Sequence, residues 1–468
     1  MKKKLLCMAL AAALLLAGCG AGNGTETTAS AGETLPAGDY TEGTVHGVRF
    51  TWGGTADKAD PEAVAWQDEI NAAYTARTGN QRVNEAYSYD LKLMFAEVED
   101  DNLPTIFVVP NDETQKLIEN GFSRDIQALL DERDWDQSAW NSAYTADLRD
   151  ENGHLNGIPY QVKARGLLCN KALFRETGLI NDAGEITYPT SWDEVLDMAQ
   201  VIREKTSAGG YAMDLYDRQG GKDFVNLAWN YGAEPCLNGD TANLDTAEMR
   251  SALSFYSTLG NSGVLKINPC MTSESYLVQT VLYGESAMAL ASGEFPEDYT
   301  GDPDDFALVP VPEGPTGNAI VTNAYSYWFS PKATDDQVRA ALDFLEMYGT
   351  APVWNEDQQA TVRRDAEEQV RTLGMYLPTV SVFTGQRRTQ ELTVQAEYDD
   401  KIADGYRPYV EACREEDRLR QEASPMSRDM YNLLLTILQE ICTDPNKDMD
   451  GMLVQAQSDY QAILEMNP

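Results

Sequence analysis

The chain has 468 residues, of which 43% are hydrophobic, and it carries a formal net charge of −39 from 36 basic and 75 acidic residues. A single hydrophobic core stops growing at roughly 250 to 300 residues, so this length predicts two lobes or domains. Nucleic-acid binding needs clustered Lys and Arg, so the acidic balance argues against a nucleic-acid partner.

The N-terminus has the anatomy of a secretory signal. Three lysines precede an apolar run from Leu5 to Gly18, which is too short for the roughly 20 residues of a membrane span. Leu16-Ala17-Gly18-Cys19 resembles the lipobox of bacterial lipoproteins, so we expect residues 1–18 to be removed and Cys19 to carry the lipid (palmitate) anchor. A plain secretory signal, or a buried helix with an incidental cysteine, is the alternative. Residues 19–43 lack large apolar side chains and are predicted to be a flexible tether.

Strand and helix patterns then alternate. "TVHGVRFTW" predicts a first strand that ends near Trp52, and "EAVAWQDEINAAYTARTG" predicts a helix. "LPTIFVVPND" is typical of a fully buried strand and its turn, and "ETQKLIENG" of the helix that follows. This alternation predicts an α/β fold whose mostly parallel sheets are flanked by helices.

The C-terminal third changes character. From about Ala360 onward helical periodicity dominates, and "EACREEDRLRQE" is typical of a solvated helix face. The segment 386–422 matches no pattern that assigns it a role. "NKDMDGMLVQAQ", from Asn446 to Gln457, nearly matches a calcium loop, but it lacks the first aspartate and the last glutamate, so a helix cap by Asp448 or Asp450 is the simpler interpretation.

Histidine and cysteine usage argues against several kinds of site. His46 and His154 are the two histidines, and neither lies in a catalytic-triad or H-E-x-x-H motif. The cysteines after Cys19 are widely spaced, have no C-x-x-C pair and are expected to be small buried apolar residues. Their oxidation state is left open; they are Cys169, Cys236, Cys270, Cys413 and Cys442. We predict no metal centre and no cofactor.

Four segments, taken in order, resemble the family-1 extracellular solute-binding proteins of bacterial ABC importers. They are "NGIPYQVKARGLLCNKALFRETGL", "PTSWDEVLDMA", "YGESAMALASGEF" and "DFALVPVPEGP". The resemblance implies a two-lobed, type II periplasmic-binding-protein-like fold with a hinge of crossing segments near Pro159, Pro310 and Tyr348. It places residues 44–158 and 305–346 in the N-terminal lobe, and residues 159–304 and 347–468 in the C-terminal lobe.

The same resemblance implies a function. The protein would be the substrate-binding lipoprotein of an ABC transporter, not an enzyme, and would act as a monomer on the outer side of the cytoplasmic membrane. It would capture an extracellular carbohydrate, an oligosaccharide, in the cleft between its lobes and deliver it to the membrane permease subunits. A non-sugar or anionic solute remains an alternative, as does a secreted glycan-degrading enzyme with a pair of carboxylates.

Candidate ligand-binding residues come first from local position. Trp52 follows the first strand, and Asn111 follows "IFVVP" at the carboxyl end of a predicted strand, where open α/β sheets place their ligands. Tyr160 lies beside the proposed hinge, and the nearby Lys163 and Arg165 could reach hydroxyls or a carboxylate of the solute. Trp229 ends a helix-like run. Each has a structural alternative, namely packing for the two tryptophans and a simple turn for Asn111.

The resemblance to the family adds further candidates. Phe295 occupies the place of a family aromatic that stacks on sugar. Asn323 and Tyr325 stand in the strand after the second crossing, where the family favours small residues, and they could fill part of the cleft. Tyr431 resembles a C-terminal aromatic that lines the cleft of relatives.

Overall fold

The computed structural model describes residues 45–54, 61–266, 274–293, 301–421 and 426–466. The first part of the chain contains β1 (Arg49–Gly54), α1 (Pro61–Thr78), β2 (Gln81–Ala86), α2 (Met94–Glu99), β3 (Ile106–Pro110), α3 (Thr114–Glu119), α4 (Gln127–Asp131), α5 (Ser142–Thr145), β4 (Gly157–Ala164), β5 (Gly166–Asn170) and α6 (Lys171–Thr177). The middle contains α7 (Trp192–Lys205), β6 (Tyr211–Ala212), α8 (Arg218–Asn230), β7 (Cys236–Leu237), β8 (Thr241–Ala242), α9 (Ala247–Asn261), β9 (Leu265–Lys266), α10 (Glu274–Leu282), β10 (Met288–Ala291) and β11 (Phe306–Pro310). The last part contains β12 (Ile320–Phe329), α11 (Asp335–Tyr348), α12 (Glu356–Leu373), α13 (Gly385–Gln395), α14 (Arg407–Arg414), β13 (Leu419–Gln421), α15 (Ser427–Ile441) and α16 (Met449–Met466). Among these described residues no helix is long and apolar enough to cross a membrane.

The first sheet has the strand order β13-β12-β3-β1-β2, and β4 pairs with β12 as well. Strand β1 runs parallel to β2 and β3, whereas β12 runs antiparallel to β3 and β4. Phe50, Phe107 and Trp328 are buried in its core, together with Leu117 of α3 and Phe344 of α11. We call this sheet and the elements that share its core the first half.

The second sheet has the strand order β11-β5-β10-β6-β9. Strand β5 runs antiparallel to both of its neighbours, while β6 runs parallel to β10 and β9. Its core contains Phe224 of α8, Tyr256 of α9 and Tyr431 of α15. We call this sheet and its packed helices the second half. The predicted α/β fold is therefore confirmed, with parallel and antiparallel pairs in each sheet.

Local sequence explains several helix ends. Ser191 caps α7 by accepting a hydrogen bond from the Glu194 backbone N–H, and Thr334 forms a capping box with Gln337 at the start of α11. Helix α6 ends at Gly178, whose φ of 77° lies in the left-handed region that favours glycine.

The chain passes from the first sheet to the second at Arg165, between β4 and β5. The expected crossing at Pro159 is corrected, because Pro159 lies inside β4 opposite Ser326, next to a β-bulge that tolerates its missing N–H. The return passes between β11 and β12, so Phe306–Pro310 belongs to the second sheet, although the sequence boundary at residue 305 placed it in the first lobe. The lobe limits as a whole stay a prediction.

The described part of the segment 386–422, which ends at residue 421, contacts both halves. Helix α14 packs against β11 of the second sheet, whereas β13 extends the first sheet beside β12. The Arg420 guanidinium, at the edge of that sheet, pairs with Glu234 at 2.8 Å. This segment therefore connects the two halves through its backbone and its side chains.

The structure also bears on the expectations for the cysteines and for the calcium-like segment. Cys169, Cys413 and Cys442 are buried free thiols and Cys236 is half-buried, whereas Cys270 lies outside the described residues.

In the calcium-like segment, Asp448 accepts a hydrogen bond from the Gly451 backbone N–H, 3.0 Å away, where α16 begins. The Gln457 amide, at the position of the missing glutamate, is hydrogen-bonded to the backbone around β8. The segment thus acts as a helix start and a packing contact.

Candidate functional site

A cleft of about 1530 Å³ is the candidate site. Most of its wall comes from the first half, namely the carboxyl end of β1, helix α1, residues 87–92 after β2, strand β12 and helix α11, with Tyr160 from β4. The second half contributes Arg218 at the start of α8, and Arg428, Asp429 and Asn432 in the first turns of α15. The cleft is larger than the roughly 300–1,000 Å³ of a drug-sized pocket, so it has room for an extended solute.

One wall of the cleft is aromatic. The ring of Trp52 lies 5.0 Å from that of Tyr327 and 5.2 Å from that of Phe344, and Tyr160 lies 4.4 Å from Tyr327, all measured between ring centroids. Aromatic pairs of this kind contribute about 0.5–1.5 kcal/mol each beyond their buried area. The wall is therefore a firm apolar surface.

Arg82 supports the aromatic wall. Its guanidinium lies 5.0 Å from the ring of Trp52 and 4.2 Å from that of Phe344, and its Nε donates to Asn71 Oδ1 at 2.8 Å. Its second amide partner is Gln67. Burial lowers the pKa of Arg82 to about 10, which still leaves it charged at neutral pH. Arg82 holds the two rings in place through cation–π contacts.

Ion pairs connect the two halves along the cleft. Lys116 Nζ of α3 lies 2.9 Å from Asp429 Oδ2 of α15, and Arg218 Nε of α8 lies 3.6 Å from Asp112 Oδ2. A third pair joins Arg428 of α15 to the buried carboxylate of Glu113. The three first-half partners stand on the short helical turn 111–113 and on α3, directly after β3. In this conformation the halves are therefore held together by complementary charges.

Three of the sequence-predicted site residues line the cleft: Trp52, Tyr160 and Tyr325. The Lys163 ammonium lies 4.8 Å from the ring of Tyr325, and Asn323 Nδ2 donates to the Tyr325 hydroxyl at 3.2 Å. Asn323 is thus next to a lining residue without being one itself. Phe295 and Cys19 lie outside the described residues.

Four other candidates are packed inside the protein and are not among the lining residues. Asn111 donates to the Tyr144 carbonyl at 3.1 Å and accepts from the Ser326 hydroxyl, so it ties the end of β3 to its neighbours. Arg165 Nε lies 2.9 Å from Asp223 Oδ1, and both side chains are buried.

The two aromatic candidates among these four, Trp229 and Tyr431, have clear packing contacts. The Arg420 guanidinium lies 4.2 Å from the ring of Trp229. The Tyr431 backbone lies so close to Gly221 that a Cβ on that glycine would be 2.2 Å from the Tyr431 carbonyl oxygen. In this conformation the packing alternative describes Trp229, and Tyr431 is buried as well; a ligand role for any of the candidates stays a prediction.

Sequence reasoning missed several lining residues. Tyr327 lies two residues from Tyr325 on the same strand, and the two-residue period of a strand could have indicated that both face one side. Arg218 stands at a helix start and Arg428 and Asp429 lie close to Tyr431, but no local pattern distinguishes them from ordinary surface charges.

One group of described residues has the composition of a metal site. The carboxylates of Asp125 and Asp150 and a ring nitrogen of His154 lie within 4.8 Å of one another on the surface. His154 Nδ1 is 2.8 Å from Asp125 Oδ2, and Asp150 accepts from the backbone N–H groups of Asn152 and His154. These hydrogen bonds account for the cluster as a closed turn. The cleft-lining residues do not include it.

The two-sheet α/β fold with a cleft lined by both halves is the arrangement that the resemblance to solute-binding proteins implied. A family model described as bacterial extracellular solute-binding protein matches residues 56–353, which is more than half of the chain. The chain therefore belongs to the bacterial extracellular solute-binding protein family.

Individual relatives agree with this family. A relative from Brucella abortus that is named as a binding protein is 23% identical over 203 residues, which cover 42% of this chain; the chain spans about half (47%) of the length of that relative. Among solved structures, the cyclic alpha-maltosyl-1,6-maltose binding protein from Arthrobacter globiformis is 19% identical with a TM-score of 0.62, covering 89% of this chain and 99% of that one. The sugar-binding protein MalE from Xanthomonas citri is 15% identical with a TM-score of 0.63, covering 90% and 98%. At these identities the solved structures show the fold.

Proposed function

We propose that the protein is the substrate-binding component of an ABC importer and captures an extracellular oligosaccharide in the cleft between its two halves. The observation that carries the proposal is the aromatic wall of Trp52, Tyr160 and Tyr327, which lines the same cleft as polar and charged groups of α8 and α15. A sugar has apolar C–H faces, which can stack on the aromatic wall, and hydroxyl groups around its edge, which can hydrogen-bond to the polar and charged groups. Two solved structures of the same fold bear the names of saccharide-binding proteins.

The charges of the cleft favour a neutral solute over an anionic one. Lys116, Arg218 and Arg428 each lie beside a carboxylate of the opposite half, so their charge is already compensated. Arg165, which suggested a carboxylated ligand, is likewise paired with Asp223. An anion would have to displace these carboxylates, whereas a neutral saccharide could hydrogen-bond beside them.

Binding both halves would favour the closed state. A ligand shifts a conformational equilibrium only through its different affinity for the two states, and a solute that contacts both walls has that difference. The wall residues and the charged helix starts would contact the same solute from two sides. Capture is therefore proposed as hinge closure without bond breaking.

Calorimetric titration of the purified chain with a panel of neutral and acidic oligosaccharides tests the proposal. We expect saturable one-to-one binding of at least one neutral member. Binding confined to the acidic members would support the anionic alternative, and saccharide cleavage during the titration would support the enzyme alternative. No response to any member would contradict a sugar ligand.

We also propose that Cys19 is lipidated and anchors the protein to the outer side of the cytoplasmic membrane, where it would deliver its solute, as a monomer, to the permease subunits. The supporting observation is the sequence Leu16-Ala17-Gly18-Cys19 after a basic and apolar leader. Cys19→Ala should release the protein from the membrane fraction and leave solute affinity unchanged. Continued membrane retention of this variant would contradict the anchor.

A further inference from the structure

One part of the cleft wall, called the arm below, contains no sequence candidate. It is lined by residues of α1, of the carboxyl end of α11 and of α12, including Trp66, Tyr348, Thr361 and Arg364. Helix α11 packs against both α1 and α12, so the arm is built on three regular elements. The ion pairs that join the two halves belong to other elements, whereas Arg364 Nη2 lies 3.5 Å from Oδ1 of its neighbour Asp365, which also lines the cleft.

Two polar atoms of this arm are buried without a hydrogen-bond partner. Thr361 is only 7% exposed, and its hydroxyl has no described partner. Arg364 Nη2 donates to the Tyr348 carbonyl at 3.0 Å, but its Nε has no described partner. A buried polar group without a partner destabilises the fold, so two such atoms one helical turn apart on α12 indicate a site that a ligand would complete.

The remaining wall of the arm is aromatic. The Arg364 guanidinium lies 5.4 Å from the ring of Trp66, and the rings of Phe344 and Tyr348 lie 5.6 Å apart. The arm thus combines a hydroxyl that can donate or accept, a guanidinium N–H that donates, and flat apolar faces. A sugar unit presents the complementary groups, because its hydroxyls accept and donate while its C–H faces are apolar.

We propose that Trp66, Thr361 and Arg364 form a saccharide subsite that binds an additional unit of an extended oligosaccharide. This inference rests on the proposed function and makes it more specific, since the favoured ligand is then longer than a disaccharide. The volume of about 1530 Å³ supports an extended ligand. Because the arm joins the same cleft as the aromatic wall, one linear solute would contact both.

The test measures how affinity depends on ligand length, in the parent chain and in variants of the arm. The probes are linear α-1,4- and β-1,4-linked glucose oligosaccharides of two to seven units, titrated into the full chain by calorimetry. We expect affinity to rise with length and Thr361→Val to weaken the longer members about threefold to tenfold while leaving the shortest binding member unchanged. Trp66→Leu should give the same length-selective loss.

Two controls accompany these variants. Thr372→Val makes the same change at an exposed position of α12 and should leave every affinity unchanged. Thr361→Val should keep or raise the unfolding temperature, because a buried hydroxyl without a partner is replaced by a methyl of similar size. A loss of binding therefore cannot be ascribed to loss of the fold.

The outcomes separate this inference from the broader proposal. Equal affinity for short and long members, or an equal effect of Thr361→Val at every length, would overturn the subsite and leave the receptor proposal standing. No effect of Thr361→Val on the longer members would do the same. Failure of every member of both series to bind would overturn the subsite, while the wider panel described above decides the receptor proposal.

Discussion

Lys116 Nζ lies 2.9 Å from Asp429 Oδ2, and this ion pair joins α3 of the first half to α15 of the second half along the cleft. Both side chains are partly exposed, at 29% and 35%. Such a pair contributes at most about 1 kcal/mol and is weakened by salt. It is therefore suited to bias a hinge equilibrium without locking it.

Removing this pair should shift the unliganded protein toward an open conformation. We expect Lys116→Gln to increase the radius of gyration measured by small-angle X-ray scattering, because one attraction between the halves is lost. The increase should be smaller at high salt, where the pair in the parent is already screened. The matched control is Arg363→Gln, which breaks the exposed pair with Glu397 outside the cleft and should leave the radius unchanged.

An unchanged radius of gyration in Lys116→Gln at low salt would show that the pair does not hold the halves together. Asp429→Asn removes the other partner and should give the same shift. The double variant should show no further change, since each single change already breaks the pair.

Trp52 is the central ring of the aromatic wall, with contacts to Tyr327, Phe344 and Arg82. Trp52→Ala should weaken binding of the captured saccharide about tenfold, corresponding to roughly 1.4 kcal/mol of lost contact. Calorimetric titration measures the change. Trp354→Ala is the matched control, because Trp354 also packs under an arginine but does not line the cleft. Equal weakening in both variants would contradict a specific role for Trp52.

The Arg165–Asp223 pair is buried at the point where the chain passes from the first sheet to the second. Arg165→Met should lower the free energy of unfolding by about 3–5 kcal/mol, because it leaves Asp223 charged and without this partner in the interior. Urea unfolding measures the loss. The double variant Arg165→Met with Asp223→Leu should recover most of it, since neither charge of the pair then remains. A double variant as unstable as the single one would contradict this account.

Gly221 lets α8 and α15 approach each other closely. A Cβ at this position would lie 2.2 Å from the Tyr431 carbonyl oxygen, so Gly221→Ala should lower the free energy of unfolding by about 1–3 kcal/mol. It should also weaken solute binding, because the same two helices position Arg218 and Arg428. Gly317→Ala is the control, since a Cβ there meets no atom closer than 3.7 Å. Unchanged stability in Gly221→Ala would contradict the close approach.

The sequence predicted much of the fold from local patterns. The strand that ends near Trp52, the buried strand "IFVVP" and the helix in "ETQKLIENG" were all expected, and all are present. The exact point at which the chain passes from the first sheet to the second was not predicted. A proline favours extended backbone both in a hinge and beside a β-bulge, and only the pairing of Pro159 with Ser326 shows which of these positions it occupies.

The site was predictable only in part. Trp52, Tyr160 and Tyr325 were candidates for ligand binding, and they line the cleft, but their role in binding a ligand stays a prediction. Asn111 and Arg165 stand just as close to strand ends, yet their side chains are turned to partners inside the protein. Their local sequences contain no sign of Tyr144, Ser326 or Asp223, because these partners are distant in the chain.

The amino-acid sequence by itself determined the α/β class, the family, and a chain length that requires two hydrophobic cores. Composition, periodicity and short motifs can be read from neighbouring residues. Only the tertiary structure decided which polar groups reach the cleft. Arg165 is neutralised by Asp223, whereas Lys116 meets Asp429 between the two halves, and Thr361 is left without a partner. The physical reason is that burial and charge compensation depend on which distant residues the packing of helices and sheets brings together.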